Sequence, residues 1–275
     1  MMRKWFMLCS AADLNILAGC SEEEPVAGDG EAPAEKEEET QAAEEVFAEA
    51  KQAAEGVESM EGSSQFTMSE DVDVLEMDRT GEIILDPLRL YHQVSFSELG
   101  EAEEIEFYLD GEEMYLLEPV SKEWIQTDMP AEVEQFLGMF IIREPMENLA
   151  LIEDAVDKMD VEEIEETYVL SLKTDEKEFR PVIVEMLYAE IGESSPDSEE
   201  FQDVLTGEEG EASLDYELTL NKETYDVETI TFEIELHDNQ GELHGQATSE
   251  TEYTGINTVD SIELPESIEL DPNDL

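Results

Sequence analysis

Two spacings of apolar residues alternate along this chain. Val46, Phe47, Ala50, Ala54 and Val57 recur at helical intervals in a Glu- and Ala-rich background, and predict an amphipathic helix that ends at Gly62. Period-two alternation then takes over. Phe66, Met68, Val72 and Val74 make one strand, and Ile84, Leu88, Leu90, Val94 and Phe96 continue the pattern beyond an expected turn at Arg79-Thr80-Gly81. Ile105, Phe107 and Leu109 lead to Asp110-Gly111, a hairpin signal, and Met114, Tyr115, Leu116 and Leu117 form the return strand. Pro119 and a Ser121-Lys122 turn bring the chain to Trp124 and Ile125. This is an antiparallel meander with an apolar face and an acidic face. Such a sheet must cover its apolar side.

The predicted cover is helical. Val133, Phe136, Leu137 and Phe140 fit a short amphipathic helix after Pro130, and Met146, Leu149, Leu151, Ile152, Val156 and Met159 fit a second that starts at Pro145. A strand returns at Tyr168, Leu170 and Leu172. Thr174 then caps a third helix with the stripe Phe179, Val182, Ile183, Met186 and Leu187, which Pro181 either kinks or begins. Residues 192–210 are polar and read as a surface loop, with a helical turn near Phe201 and Leu205.

The last third alternates most strictly. Leu214, Tyr216, Leu218 and Leu220 match Ile230, Phe232, Ile234 and Leu236, and a one-residue slip of register would turn all of them to solvent. Asn239-Gln240-Gly241 makes the next turn. Residues 243–253 are rich in Thr, Ser and Glu, which reads as an edge strand protected against pairing with other chains. Ile262, Leu264 and Pro265 close the domain.

Charge changes the picture next. Of 275 residues, 76 are Asp or Glu and 13 are Lys or Arg, for a net charge of −63. A field of that sign repels nucleic acid and anionic headgroups, and its self-repulsion calls for a high-salt, halophilic setting in which stability rises with salt. No apolar stretch beyond the first residues is long enough to cross a bilayer as a helix.

The N-terminus carries a separate signal. Arg3 and Lys4 precede an apolar segment, Trp5 to Leu8 resumed at Leu14, Ile16 and Leu17, that runs into Leu17-Ala18-Gly19-Cys20. This is the layout of a bacterial lipoprotein signal: residues 1–19 are a cleavable signal peptide, and lipidated Cys20 anchors the chain on the extracytoplasmic face of the cell membrane. Asp13 and Asn15 weaken the apolar segment. Cleavage removes Cys9, so the mature domain holds no disulfide. Residues 20–39 are Glu, Ala, Gly and Pro without apolar period, a disordered acidic tether spanning roughly 25 Å or more.

Several segments carry a family resemblance. Ala43-Glu44-Glu45-Val46-Phe47, Asp86-Pro87-Leu88 followed by His92-Gln93, the hairpin Phe107-Tyr108-Leu109-Asp110-Gly111-Glu112-Glu113-Met114-Tyr115, and Glu118-Pro119 with Trp124 beyond resemble the uncharacterised Gram-positive lipoproteins with a LolA-like or LppX-like fold. The resemblance covers most of residues 40–265, leaving 266–275 as an acidic tail. It implies an α+β domain: a curved, half-open antiparallel β-barrel with helices packed on its concave face. In relatives that shape accommodates acyl chains or lipidated partners, and no catalytic residues come with it.

Catalytic chemistry is absent from the sequence. It holds no nucleophile elbow, HExxH, phosphate loop, dinucleotide motif or EF-hand spacing, so no enzyme activity and no cofactor are expected. His237 and His244 flank a turn without a third ligand dictated by spacing, while Asp71 with Asp73 and Asp154 with Asp157 read as solvated faces, so no metal site is assigned. Methionines and aromatics are the stronger candidates, because methionine adapts to varied apolar shapes. Met68, Leu90, His92, Phe107, Met114, Phe136, Phe140 and Met186 are the expected lining of a ligand cavity between sheet and helices, with Trp124 grouped beside them. His92 shares a strand face with Leu90 and Val94, so it is either a ligand-facing polar group or a hydrogen-bonded core histidine. The expected function is binding of a lipid or other hydrophobic ligand. The alternative is a structural or sensory lipoprotein that docks a protein partner and carries no small molecule.

Overall fold

A computed structural model describes residues 42–70, 73–98, 101–111, 113–118, 120–128, 139–191, 210–238, 240–263 and 268. The lipobox Leu17, Ala18, Gly19 and Cys20, the tether, the helix expected after Pro130 up to residue 138 with Phe136, and residues 192–209 of the expected loop lie outside the described residues, while Phe140 at the end of that expected helix is in a turn.

The N-terminal helix α1 (Ala43–Ala54) is followed by a run of strands: β1 (Ser59–Glu70), β2 (Asp73–Leu85), β3 (Leu88–Glu98), β4 (Glu101–Asp110), β5 (Glu113–Leu117) and β6 (Trp124–Asp128). Then come α2 (Pro145–Ile152), a 3-10 segment (Glu153–Lys158), β7 (Asp160–Ile164), β8 (Thr167–Thr174) and α3 (Arg180–Ile191). The chain finishes with β9 (Glu211–Asn221), β10 (Val227–His237) and β11 (Leu243–Tyr253). All eleven strands form one antiparallel sheet in the order β6-β5-β4-β3-β2-β1-β11-β10-β9-β8-β7. The fold is α+β, an open antiparallel sheet with three α-helices among the described residues.

Two hairpin ladders meet at its centre. β1 pairs with β11, Gly62 opposite Tyr253 and Phe66 opposite Ser249, so the first and last strands close the sheet together. The edge reading of residues 243–253 is therefore corrected. β11 is central because its inward row, Gly245, Ala247, Ser249, Thr251 and Tyr253, is mostly small and leaves room for a helix above it. The edges of this sheet are β6 and β7, and β7 carries Asp160, Glu162 and Glu163, charges that discourage further pairing.

Two glycines are also reassigned. Gly62 does not end α1, which stops at Ala54; it lies inside β1, directly opposite Gly81 of β2. Arg79-Thr80-Gly81 is not a turn either, because β2 runs through it and the chain reverses between Leu85 and Leu88. A Cβ on Gly62 would stand 2.5 Å from the Glu252 carbonyl oxygen, and one on Gly81 would stand 2.6 Å from the His92 ring. Both positions need glycine for close approach. Gly62→Ala is expected to cost about 1–3 kcal/mol in a denaturant titration, because the clash is with backbone that cannot rotate away.

The three described helices carry the predicted stripes within shorter bounds: α2 gives way to a 3-10 segment after Ile152, and Thr174 ends β8 rather than capping α3. α1 buries Ala43, Val46, Phe47, Ala50 and Ala54 on one stripe, with Glu44 and Glu45 in its first turn and Lys51 in its last, in the sense that suits the helix dipole. Pro145 opens α2, and Pro181 falls in the first turn of α3, so it marks that helix's start. The Asp110-Gly111 hairpin and the Lys122 turn stand as expected, with Gly111 at φ 62° and Lys122 at φ 58°.

Candidate functional site

Strand alternation sorts the sheet into two faces. One carries Met60, Phe66, Met77, Ile83, Leu90, Val94, Phe107, Leu109 and Met114 from the first ladder and Leu170, Leu172, Leu214, Leu218, Ile234 and Ala247 from the second. These join a single buried cluster with Val46, Phe47 and Ala50 of α1, Leu149 and Ile152 of α2, and Ile183, Met186 and Leu187 of α3. All three helices thus pack against the same apolar face. Each large side chain buried there contributes about 1.5–3 kcal/mol, which is what holds helices to sheet.

The described members of the expected lining lie on this face. Leu90, Phe107, Met114, Phe140 and Met186 are buried members of the cluster, and Met68 packs on its margin. Phe107 stacks on His92 at 5.6 Å between ring centres, and Phe140 approaches Phe96 at 5.9 Å. Trp124 does not belong with them. It alternates onto the opposite face, beside Tyr91, Tyr108 and Tyr115, where Val259, Ile262 and Ile268 of the C-terminal segment cover it. That segment is fastened by Asn257: its Oδ1 accepts from the Glu58 and Ser59 amides, and its Nδ2 donates to the Gly56 carbonyl at 3.1 Å. Ile268 therefore packs against the domain, beyond the boundary expected at residue 265. A groove of about 280 Å³ also opens on this second face, between Asp78, Thr80, Gln93, Ser95, Glu104 and Lys122. Val94, Ile105 and Leu117 share its lining with these polar groups, so it is mixed in character and lies apart from the cavity expected from the sequence.

Within the apolar face lies a polar group that the sequence reading missed. Arg79 is 3% exposed and bridges to Glu190 of α3, itself 5% exposed. Its Nη2 also donates to Ser64 Oγ at 2.9 Å, and Nη1 donates to the Met139 carbonyl at 3.1 Å. Ser249 Oγ donates to Glu190 at 3.3 Å, and Thr251 Oγ1 donates to Ser64. Burial works to raise the Glu190 carboxyl. The Arg79 and Arg143 charges, with hydrogen bonds from Arg79 and Ser249, outweigh it and hold the group below the ordinary carboxylate range. Phase would have revealed both residues: Arg79 keeps the alternation of Met77 and Ile83, and Glu190 follows Ile183, Met186 and Leu187 at helical spacing.

His92 is fully buried. Its Nε2 accepts from the Ile142 amide at 3.1 Å, so the chain at residues 139–143 is tied to the sheet by Arg79, by His92, and by Tyr253, whose hydroxyl donates to the Arg143 carbonyl at 2.6 Å. Burial, then the neighbouring Arg79 charge, lowers the His92 pKa to about 3. Its imidazole NMR shifts are therefore expected to stay flat through the ordinary histidine range around pH 6.5 and to move only as pH approaches 3. Because the unfolded chain takes up this proton near pH 6.5, stability falls as pH drops from 6.5 toward 3, and that part of the fall disappears in His92→Phe.

Three buried donors on this face lack a hydrogen-bond partner among the described residues: Arg79 Nε, His92 Nδ1 and the Tyr216 hydroxyl. Burial raises the Tyr216 pKa, so the hydroxyl keeps its proton. Among the described residues no group of three or more His, Cys, Asp or Glu is arranged to hold a metal ion, and no helix is long and apolar enough to cross a membrane.

Fold and site define a one-sided sandwich of sheet and helices with a small polar island in an apolar interior. The chain belongs to a family of unknown function, DUF6612, whose pattern it matches over residues 42–271. No curated protein matches it by sequence. Among solved structures it is similar to LprF from Mycobacterium bovis, at 11% identity and TM-score 0.42, covering 82% of this chain and 97% of that one. It is similar to lipoprotein LppX from Mycobacterium tuberculosis at 9% identity and TM-score 0.40, covering 80% and 98%. A LolA superfamily protein from Nitrosomonas europaea matches at 9% identity and TM-score 0.24, covering 85% and 100%.

Proposed function

We propose that this protein is an extracytoplasmic lipoprotein, anchored through Cys20, that holds a lipid or other hydrophobic ligand between its sheet and its helices. In this reading the right-handed twist of eleven strands curves the sheet into a half-open barrel, with α1, α2 and α3 on its concave side. One observation carries it: a single face of an open sheet is apolar across nearly its whole width, and every described helix lies on that face. Met60, Met77, Met114 and Met186 are among the buried side chains, and flexible thioethers repack around an inserted chain at less cost than branched residues. Leu90, His92, Phe107, Met114, Phe140 and Met186, with Met68 at the margin and Phe136 from the segment after Pro130, are the proposed lining. Binding of this kind needs no catalytic group. The test is organic-solvent extraction and native mass spectrometry of the purified protein. Co-purifying lipid in stoichiometric amount supports carriage, and an empty protein that takes up no added lipid supports docking of a protein partner instead.

A further inference from the structure

The segment after β11 is held to the sheet in two different ways. Its first half is tied by hydrogen bonds to β1. The Thr254 and Gly255 amides donate to the Glu61 carbonyl at 2.8 and 3.3 Å, the Asn257 amide donates to the Ser59 carbonyl at 2.8 Å, and the Val259 amide donates to Ser59 Oγ at 3.2 Å. Asn257 sits at φ 56°, a left-handed conformation that asparagine tolerates, and its side chain adds the bonds to Gly56, Glu58 and Ser59. Beyond Val259 these ties stop. Among the described residues, 260–263 and 268 make no hydrogen bond and no ion pair; Ile262, 6% exposed, and Ile268 join Tyr91, Tyr108, Tyr115 and Trp124 in one apolar cluster. Those four aromatics come from four successive strands, β3 to β6, on the face opposite the helices.

Charge opposes that apolar contact. From Thr254 to Leu275 the chain carries six carboxylates and no Lys or Arg, and two of the six, Asp260 and Glu263, flank Ile262 and are exposed. Glu82, Glu106, Asp110 and Glu113 stand beside the tyrosine hydroxyls, and Arg89, the cation next to them, is already bonded to Asp110 at 3.0 Å. Like charges therefore meet across a contact fixed by apolar area alone. Repulsion between exposed carboxylates reaches about 30 Å in 0.01 M salt and only about 3 Å in 1 M, whereas apolar contact does not weaken as salt rises. We propose that the chain beyond Val259 is a salt-controlled strap, closed over the tyrosines and Trp124 at high ionic strength and lifted from them at low, with Val259 as its hinge. Ionic strength then sets whether this face of the sheet presents an aromatic surface. The strap works in this way whether or not the interior on the other face carries a ligand.

Trp5 and Trp124 are the chain's two tryptophans, so the full chain carrying Trp5→Phe reports from Trp124 alone. Acrylamide quenching of its fluorescence is measured as KCl is diluted from about 2 M to about 0.05 M, with far-UV circular dichroism followed on the same samples. Quenching is expected to rise about twofold at salt concentrations where the dichroism still holds its high-salt value, because the strap opens without the sheet. Asp260→Asn with Glu263→Gln removes two repelling charges and is expected to move the rise to lower salt. Ile262→Ser removes the apolar hold and is expected to give the raised quenching at every salt concentration with the dichroism intact. Quenching that stays constant, or that rises only as the dichroism is lost, overturns the strap. So does a rise that the two neutralised carboxylates leave at the same salt concentration.

Discussion

Glu190→Leu is expected to destabilise the folded domain by about 3–5 kcal/mol, read as a lowered midpoint in a urea titration with unchanged slope. The loss does not come from the ion pair's own strength. It comes from Arg79, whose guanidinium stays 3% exposed on the apolar face with its counter-charge gone. The double variant Arg79→Met with Glu190→Leu removes both charges and fills the space with apolar atoms, so it is expected to recover most of the loss. If the double variant is as unstable as the sum of its parts, the pair is not coupled and the packing of α3 against β2 is wrong.

Acid gives the same pair a second readout. The Glu190 carboxyl is held below its ordinary 4.5, so the unfolded chain takes up a proton there before the folded protein does. The pair's contribution is therefore complete above about pH 4.5 and is lost as pH falls through the lowered folded value. The double variant lacks this step and is expected to lose less stability over that range.

Cys20→Ala is expected to move the protein wholly from the membrane fraction to the soluble one and to abolish incorporation of a labelled fatty acid. The argument is thermodynamic. Each buried methylene contributes about 0.8 kcal/mol, and two or more acyl chains anchor stably where one does not, so on the proposed anchoring through Cys20 the substitution removes the main membrane attachment. The protein's charge of −63 adds no attraction to an anionic surface. Membrane association or label that survives the substitution would sink the anchor.

Sequence and tertiary structure each settled different things. Strict alternation in residues 214–220 and 230–236 was enough to place β9 and β10 with their correct inward rows, because burying one face of a strand fixes which residues share it. The stripe of α1, the start of α2 at Pro145 and the Asp110-Gly111 hairpin were legible for the same reason: each is decided by interactions within a few residues. Strand β7 was not, because Val161 and Ile164 are the only apolar residues among its five.

What tertiary structure alone decided is who sits beside whom. β11 looks like an edge strand by composition, yet pairing with β1 makes it central, and its Ser249 and Thr251 then serve the buried Arg79–Glu190 group. Arg79 looks like a turn residue until β2 is seen to continue through Gly81, opposite Gly62. Trp124 looks like a partner of Phe107 until alternation turns it to the face covered by Ile262. Local periodicity gives each strand two faces and each helix a stripe, but the meeting of strands and helices far apart in the chain is a choice among pairings of similar local energy. Only the assembled interior, where an arginine must find its carboxylate and a glycine must make way for a histidine, selects one of them.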